Sequence, residues 1–300
     1  MIDNYYMMVL CAIGLPGNAL TIVTILAMES ISPATILVAF LASCDIGALV
    51  SKLTLNRMIN QHVYFGSVGC KLVNTLTLSF ATIANWTLVL ICLERFIAVR
   101  FPLQKVYLAT KHRCTVAAFA LSVIIAALAS AFFVMPYDAD DTGYECVTTR
   151  MSAEMMFLTQ LLFYVVFPLA FIAVFTSGTV MTLCAYQRQR RAMFRKRGWP
   201  DTETRQTTGN FKSYLLFARH ERREKTINVL VIFTGVLFIV IHIPPCIFFL
   251  GFADSYSSND AKWYLLTIIH YLILDSSHVL NFFLFFLSAR KFRSQLFRII

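Results

Sequence analysis

In the stretch LVLICLERFIAVRFPL, residues 88 to 103, Glu94 and Arg95 stand side by side at the end of an apolar run of more than twenty residues. The nearest earlier charge is Lys71. Burying such a pair in hydrocarbon is costly unless its charges are held. It can be a working ion pair at a membrane rim, or two solvated charges of little energetic weight. Three further polar residues lie deep in apolar surroundings: Asn18, Asp45 and Asn281. Asp45 is the one ionisable group at the centre of its segment, and a lone carboxylate there is a functional candidate. The alternative is structural glue, with Asn18 and Asn281 hydrogen-bonding it. Asp275 is a fourth such group; Lys52 could reach it, and that internal pair is the structural alternative to a role in ligand recognition.

These groups need elements to carry them, and composition says which. Of the 300 residues, 58% are hydrophobic and 14% charged, and the mean hydropathy is +0.68. Soluble proteins run at about 45–50% apolar and about 25% charged. The excess fits a membrane. A crossing helix needs about 20 mostly apolar residues, and seven candidates follow, near 5–28, 34–57, 71–94, 113–135, 155–186, 227–251 and 263–287. They are called spans 1 to 7 below. Residues 1–300 therefore read as one all-α domain, a seven-helix transmembrane bundle.

Charge sets the orientation. The segments before spans 2, 4 and 6, with the stretch after span 7, hold 21 of the 26 Lys and Arg and six acids, a net of +15. The opposite side carries −3. Basic loops stay in the cytoplasm, so the N-terminus is expected outside. The basic balance reflects this topology and argues against nucleic-acid binding. Residues 289–299 alternate bases with Phe292, Leu296 and Phe297, and Ile300 follows, as in an amphipathic helix on the inner membrane surface.

Of eight cysteines, only Cys70 and Cys146 fall on the oxidising side. They read as a disulfide, ahead of two free surface thiols. No metal-ligand or nucleophile spacing is seen at either face, so neither an enzyme nor a bound cofactor is expected. A transporter would need a continuous polar path or inverted repeats, and neither is visible. Pro16, Pro168 and the Pro244-Pro245 pair interrupt spans 1, 5 and 6. A mid-span proline removes a backbone hydrogen bond and bends a helix. Two such bends in long helices suggest moving parts.

In order along the chain come GLPGNAL with Asn18, LASCD with Asp45, Cys70 opening span 3, and Glu94-Arg95-Phe96 closing it 25 residues later. Then follow Pro102, Pro168, FIVIHIP, and NFFLF leading to Phe292-Arg293. This ordered set resembles the rhodopsin-like G protein-coupled receptors, and it covers nearly the whole chain. There are departures. His242 replaces the span-6 tryptophan and Ile241 its cysteine, and span 4 lacks its tryptophan. Asn281-Phe282 replaces asparagine-proline, Phe285 and Thr176 replace tyrosines, and Asn85 takes an aliphatic position facing Pro168 and Phe238. The asparagine–phenylalanine pair resembles invertebrate receptors for FMRFamide-like neuropeptides.

The resemblance implies roles. Glu94, Arg95 and Phe96 would serve the G protein switch, with Glu224 at the base of span 6 as a resting partner of Arg95. Pro168, Phe238, His242 and Pro244 would form the activation kinks, and Asn18, Asp45 and Asn281 the core polar network. An opsin's Schiff-base lysine is missing, because the matching residue is Asp275. An amine receptor's span-3 aspartate is Thr77 here. Thr77 and Asp275 are thus the candidate ligand-pocket residues. The outer face carries Asp138, Asp140, Asp141, Glu145, Glu154, Asp254 and Asp260, a field that attracts cationic ligands. The expected partners are an extracellular, cationic or amidated peptide, a heterotrimeric G protein, membrane lipids and arrestin. A small-molecule or lipid ligand is the alternative. Phosphorylation for arrestin would fall on Thr202, Thr204, Thr207, Thr208 and Ser213 of the basic inner loop. The expected location is the plasma membrane.

Overall fold

Hydrocarbon offers no water to a backbone N–H or C=O, so a chain this apolar must close its hydrogen bonds within each crossing segment. It does so as helix. The computed structural model describes residues 2–61, 63–64, 66–133, 137–139, 146–148, 158–159, 161–196, 233, 235–244, 247, 261–288 and 290–299. Span 1 is the helix Ile2–Leu26, span 2 Pro33–Asn60, span 3 Gly66–Arg100 and span 4 Lys111–Phe133. Span 5 opens as a π-helical stretch, Leu161–Val166, and continues as Phe167–Lys196. Span 6 is described over Gly235–Pro244, and span 7 is Ala261–Ser288. Among the described residues six helices are long and apolar enough to cross a membrane, and the span-6 segment is a shorter apolar helix. Span 3 has 35 residues, roughly 52 Å of helix against a hydrocarbon core of about 30 Å. It therefore runs on past the Glu94–Arg95 pair instead of ending there.

Span 3 is the central post, in contact with spans 2, 4 and 5. Leu41 of span 2, Ile83, Leu88 and Ile91 of span 3, Ile172 of span 5, Phe238 of span 6 and Phe285 of span 7 share one buried cluster. Large apolar side chains of spans 4 and 5, among them Phe119, Ile124, Val174 and Met181, face outward, as expected where lipid is the solvent. Span 1 reaches the bundle through Gly14. A Cβ there would lie 2.6 Å from Leu49 Cδ1 of span 2 and 2.9 Å from Val279 Cγ2 of span 7. A small residue lets helices approach where hydrophobic driving force is lacking.

Two short elements were not expected from the sequence. Lys105–Leu108 forms a single helical turn in the second inner loop. In the second outer loop, β1 (Tyr137–Ala139) and β2 (Cys146–Thr148) pair antiparallel, with Ala139 opposite Cys146. Cys146 is bonded to Cys70 at a Cα separation of 5.7 Å, which fixes this small ladder to the outer end of span 3. Asn74, one turn below Cys70, donates to the Cys70 carbonyl at 3.0 Å.

The terminal helix Arg290–Ile299 packs on spans 1 and 7. Phe292 and Leu296 are buried there, and Phe297 is exposed. The expected apolar face is thus divided between bundle and surroundings; Ile300 lies outside the described residues. Gln295 anchors the helix by donating to the Ala27 carbonyl at 2.9 Å.

The π-helical opening of span 5 coincides with a missing backbone donor. In an α-helix the Tyr164 carbonyl would take its bond from residue 168, and in a π-helix the Phe163 carbonyl would. Residue 168 is proline and has no N–H. Span 3 supplies both donors from consecutive residues. Asn85 Nδ2 reaches the Tyr164 carbonyl at 2.9 Å, and Trp86 Nε1 reaches the Phe163 carbonyl at 2.9 Å. The Asn-Trp-Thr glycosylation triplet is accordingly a chance match, since Asn85 is buried inside the bundle.

Cys70→Ala is expected to abolish surface expression, since loss of such a bridge costs about 2–4 kcal/mol. Mass spectrometry finding both thiols free in folded protein would contradict the bridge. Asn85→Leu should cost about 1–3 kcal/mol by removing the donor to Tyr164, seen as a lower melting temperature in detergent. An unchanged melt would show that the carbonyl is served without Asn85.

Candidate functional site

Spans 2 and 7 run antiparallel, and their polar residues meet rung by rung. Asp45 is fully buried. Its Oδ2 accepts from Asn281 Nδ2 at 2.8 Å, and its Oδ1 lies 2.7 Å from His278 Nδ1. Seven residues further along span 2, Lys52 Nζ is 2.5 Å from Asp275 Oδ1. The two spacings agree: seven residues from Asp45 to Lys52 rise about 10 Å, and six from Asn281 to Asp275 rise about 9 Å. Among the described residues Asn18 makes no hydrogen bond to the carboxylate, which the glue reading would have required of it. Its Nδ2 donates to the carbonyls of Gly14 at 3.0 Å and His278 at 2.9 Å, so it ties span 1 to the backbone of span 7. His278 takes the place expected for it. The signal was present, because Asp275, His278 and Asn281 recur at intervals of three on one face of span 7.

Beside these rungs lies a cavity of about 150 Å³ whose lining includes Lys52, Thr77, Tyr164, His270, Tyr271 and Asp275, with His278 at its deeper end. Both candidate ligand-pocket residues therefore line one space. Thr77 Oγ1 donates to the Val73 carbonyl at 2.9 Å. Asp275 Oδ1 is taken by Lys52, and Oδ2 has no hydrogen-bond partner among the described residues. Lys52 Nζ also lies 5.0 Å from the Tyr271 ring centroid, within range of a cation–π contact.

Midway down, two of the four expected kink residues, Phe238 and His242, come together. His242 stacks on Phe238 with centroids 3.9 Å apart and planes 13° from parallel. Its Nδ1 lies 3.0 Å from the Phe238 carbonyl, and its Nε2 lies 3.4 Å from Asn85 Nδ2. Tyr164 packs at 5.7 Å from the same imidazole. Asn85 thus touches both span 5 near Pro168 and span 6 at His242. Pro244 is the last residue of the described span-6 helix and is exposed; Pro245 lies outside the described residues.

At the inner end Glu94 is only 3% exposed, so the pair is not two solvated rim charges. Arg95 Nε lies 3.3 Å from Glu94 Oε2, and Lys105 Nζ lies 3.3 Å from Glu94 Oε1. Lys105 was missed because sequence spacing cannot show that the inner-loop turn folds back against span 3. Phe96 packs with Phe175 of span 5 at 5.9 Å, over Gly178, where an added Cβ would meet its ring at 2.7 Å. Glu224 and the loop hydroxyls lie outside the described residues.

Comparison with known proteins follows the same features. The chain matches the family described as 7 transmembrane receptor (rhodopsin family) over residues 17–281. The Caenorhabditis elegans protein F59B2.13, described as a G-protein coupled receptor, is 24% identical over 96% of this chain and 70% of its own length. Bombesin receptor subtype-3 of Ovis aries is 26% identical over 96% of this chain and 73% of its own. Rhodopsin of Batrachocottus nikolskii is 32% identical over 33% of this chain and 36% of its own. Members of this family are multi-pass plasma-membrane proteins that signal through G proteins and are not enzymes. With its ordered motifs, its span-3 disulfide and a match over most of its length, the chain belongs to the rhodopsin family of seven-transmembrane receptors.

Proposed function

We propose that this receptor answers to a small cationic or amidated neuropeptide, with its N-terminus outside the cell. The observation that carries the reading is Asp275, a buried carboxylate on the wall of the outer cavity; Lys52 holds one of its oxygens, and the other has no hydrogen-bond donor among the described residues. A cation entering there would compete with Lys52 for a carboxylate in a low-dielectric setting, where charge is worth far more than in water. Thr77 lines the same cavity. The acidic outer face would draw such a ligand in. A receptor named for bombesin is among the relatives matched along most of the chain, which also supports a peptide. The departure at Asn281-Phe282 resembles receptors for FMRFamide-like peptides.

Transmission would use the spans that the polar contacts join. Pro168, Phe238, His242 and Pro244 would reset spans 5 and 6, and Arg95 would then meet the G protein. Glu224 would hold Arg95 at rest. Arrestin would bind the phosphorylated inner loop, and lipid the exposed face of the terminal helix.

The test is a screen of amidated, arginine-containing peptides on cells expressing the chain with a promiscuous G protein. A peptide that evokes signalling supports the proposal. A response only to lipids or neutral small molecules would refute the ligand class, and solute flux in vesicles without G protein activation would point to a transporter.

Glu224→Ala should raise ligand-independent signalling and Arg95→Ala should lower coupling. Exposed pairs are worth up to about 1 kcal/mol, so the rise should be at most about fivefold. Basal signalling unchanged at matched surface expression would exclude the Glu224 contact.

A further inference from the structure

The Lys52–Asp275 pair looks at first like a reason why Asp275 could not serve a ligand, since its charge is already met. Its geometry says otherwise. The side chain of Asp275 is 7% exposed and that of Lys52 is 26%. The acid is short and fixed on span 7, while the base hangs on a flexible four-carbon stem. Lys52 Nζ holds Oδ1, and the ring of Tyr271 lies 5.0 Å from it as a second resting place. Oδ2 is buried without a hydrogen-bond donor among the described residues, in a side chain that lines the cavity. One oxygen of the carboxylate is therefore held by a side chain of the receptor itself, and the other is unmatched among those residues.

We propose that Lys52 is a tethered substitute for the ligand's cation, released from Asp275 when a guanidinium group enters the cavity. The inference rests on reading this cavity as the ligand site, and it adds the ligand chemistry and the exchange step. Replacing one cation by another leaves Asp275 compensated throughout, so the exchange avoids the penalty of a stranded buried charge. A neutral group has nothing to offer in exchange. An anion would need Lys52 to abandon the acid. Guanidinium has an advantage over ammonium because its planar fork can take both carboxylate oxygens at once. About 150 Å³ suits one such side chain and not a whole peptide. Exchange also has a mechanical consequence: it removes the outer ion pair between spans 2 and 7, while the Asp45 contacts with His278 and Asn281 stay below it.

The test uses the purified full chain in detergent, with methylguanidinium as the probe and thermal melting as the readout. In Lys52→Met the competitor is gone, so half-maximal stabilisation should occur at a probe concentration at least tenfold lower than in wild type. Asp275→Asn and the double variant should show no probe-dependent shift. Should the lone carboxylate keep Lys52→Met from folding, Lys52→Arg provides the opposite test. Its forked side chain fills both oxygens and should weaken probe stabilisation at least tenfold. Equal half-saturating concentrations in wild type and either variant, or a shift that persists in Asp275→Asn, would overturn the exchange. Signalling by Phe-Met-Arg-Phe-amide and by its arginine-to-citrulline analogue is measured separately. Silence toward both would refute the peptide reading, while the melting series still decides the exchange.

Discussion

A carboxylate at the centre of an apolar bundle cannot be left to itself, and Asp45 shows how much of the structure answers to that requirement. Asn281 and His278 must lie on the face of span 7 that meets span 2, because they take the two carboxylate oxygens. Asn18 is then placed by the carbonyl of His278 instead of by the acid. Span 1 can follow only because Gly14 has no Cβ to strike Leu49 and Val279. One buried carboxyl group and its partners thus tie three helices together. Apolar contacts alone could not, since lipid is as good a neighbour for Leu or Val as another helix is.

The middle of the bundle obeys the same rule with neutral groups. Pro168 withdraws a donor, and span 3 answers with Asn85 and Trp86. Asn85 then has His242 within reach on span 6. The replacement of an aliphatic residue by asparagine and of tryptophan by histidine reads, in this light, as a matched pair. A polar contact between spans 3 and 6 takes the place of aromatic bulk. Any movement of span 6 at His242 would have to break or re-form this directional contact.

The sequence made the crossing segments legible because a bilayer demands long apolar runs, and the helices observed differ from those runs mainly at their ends. It also exposed the Cys70–Cys146 bridge through the compartment each thiol occupies, and the Asp45–Asn281 contact through depth. The misses have a common cause. The π-helical turn of span 5, the reach of Lys105 to Glu94 and the bonding of Asn18 to a backbone carbonyl all depend on how neighbouring helices are rotated and spaced, which no single segment encodes. His278 is different. Its spacing from Asp275 and Asn281 was in plain view, and only the assumption that Asn18 served the acid hid it.

The inner acid has two cations, one on its own helix and one on the loop turn Lys105–Leu108. That doubling bears on how easily the receptor changes state. Were Arg95 to turn toward a cytoplasmic partner, as proposed above, Glu94 would keep Lys105 and no bare carboxylate would be left behind in the bundle. If Arg95 acts as proposed, a modification that neutralised the Lys105 ammonium would leave Glu94 with Arg95 alone, and a loop lysine would then tune the signalling that occurs without agonist.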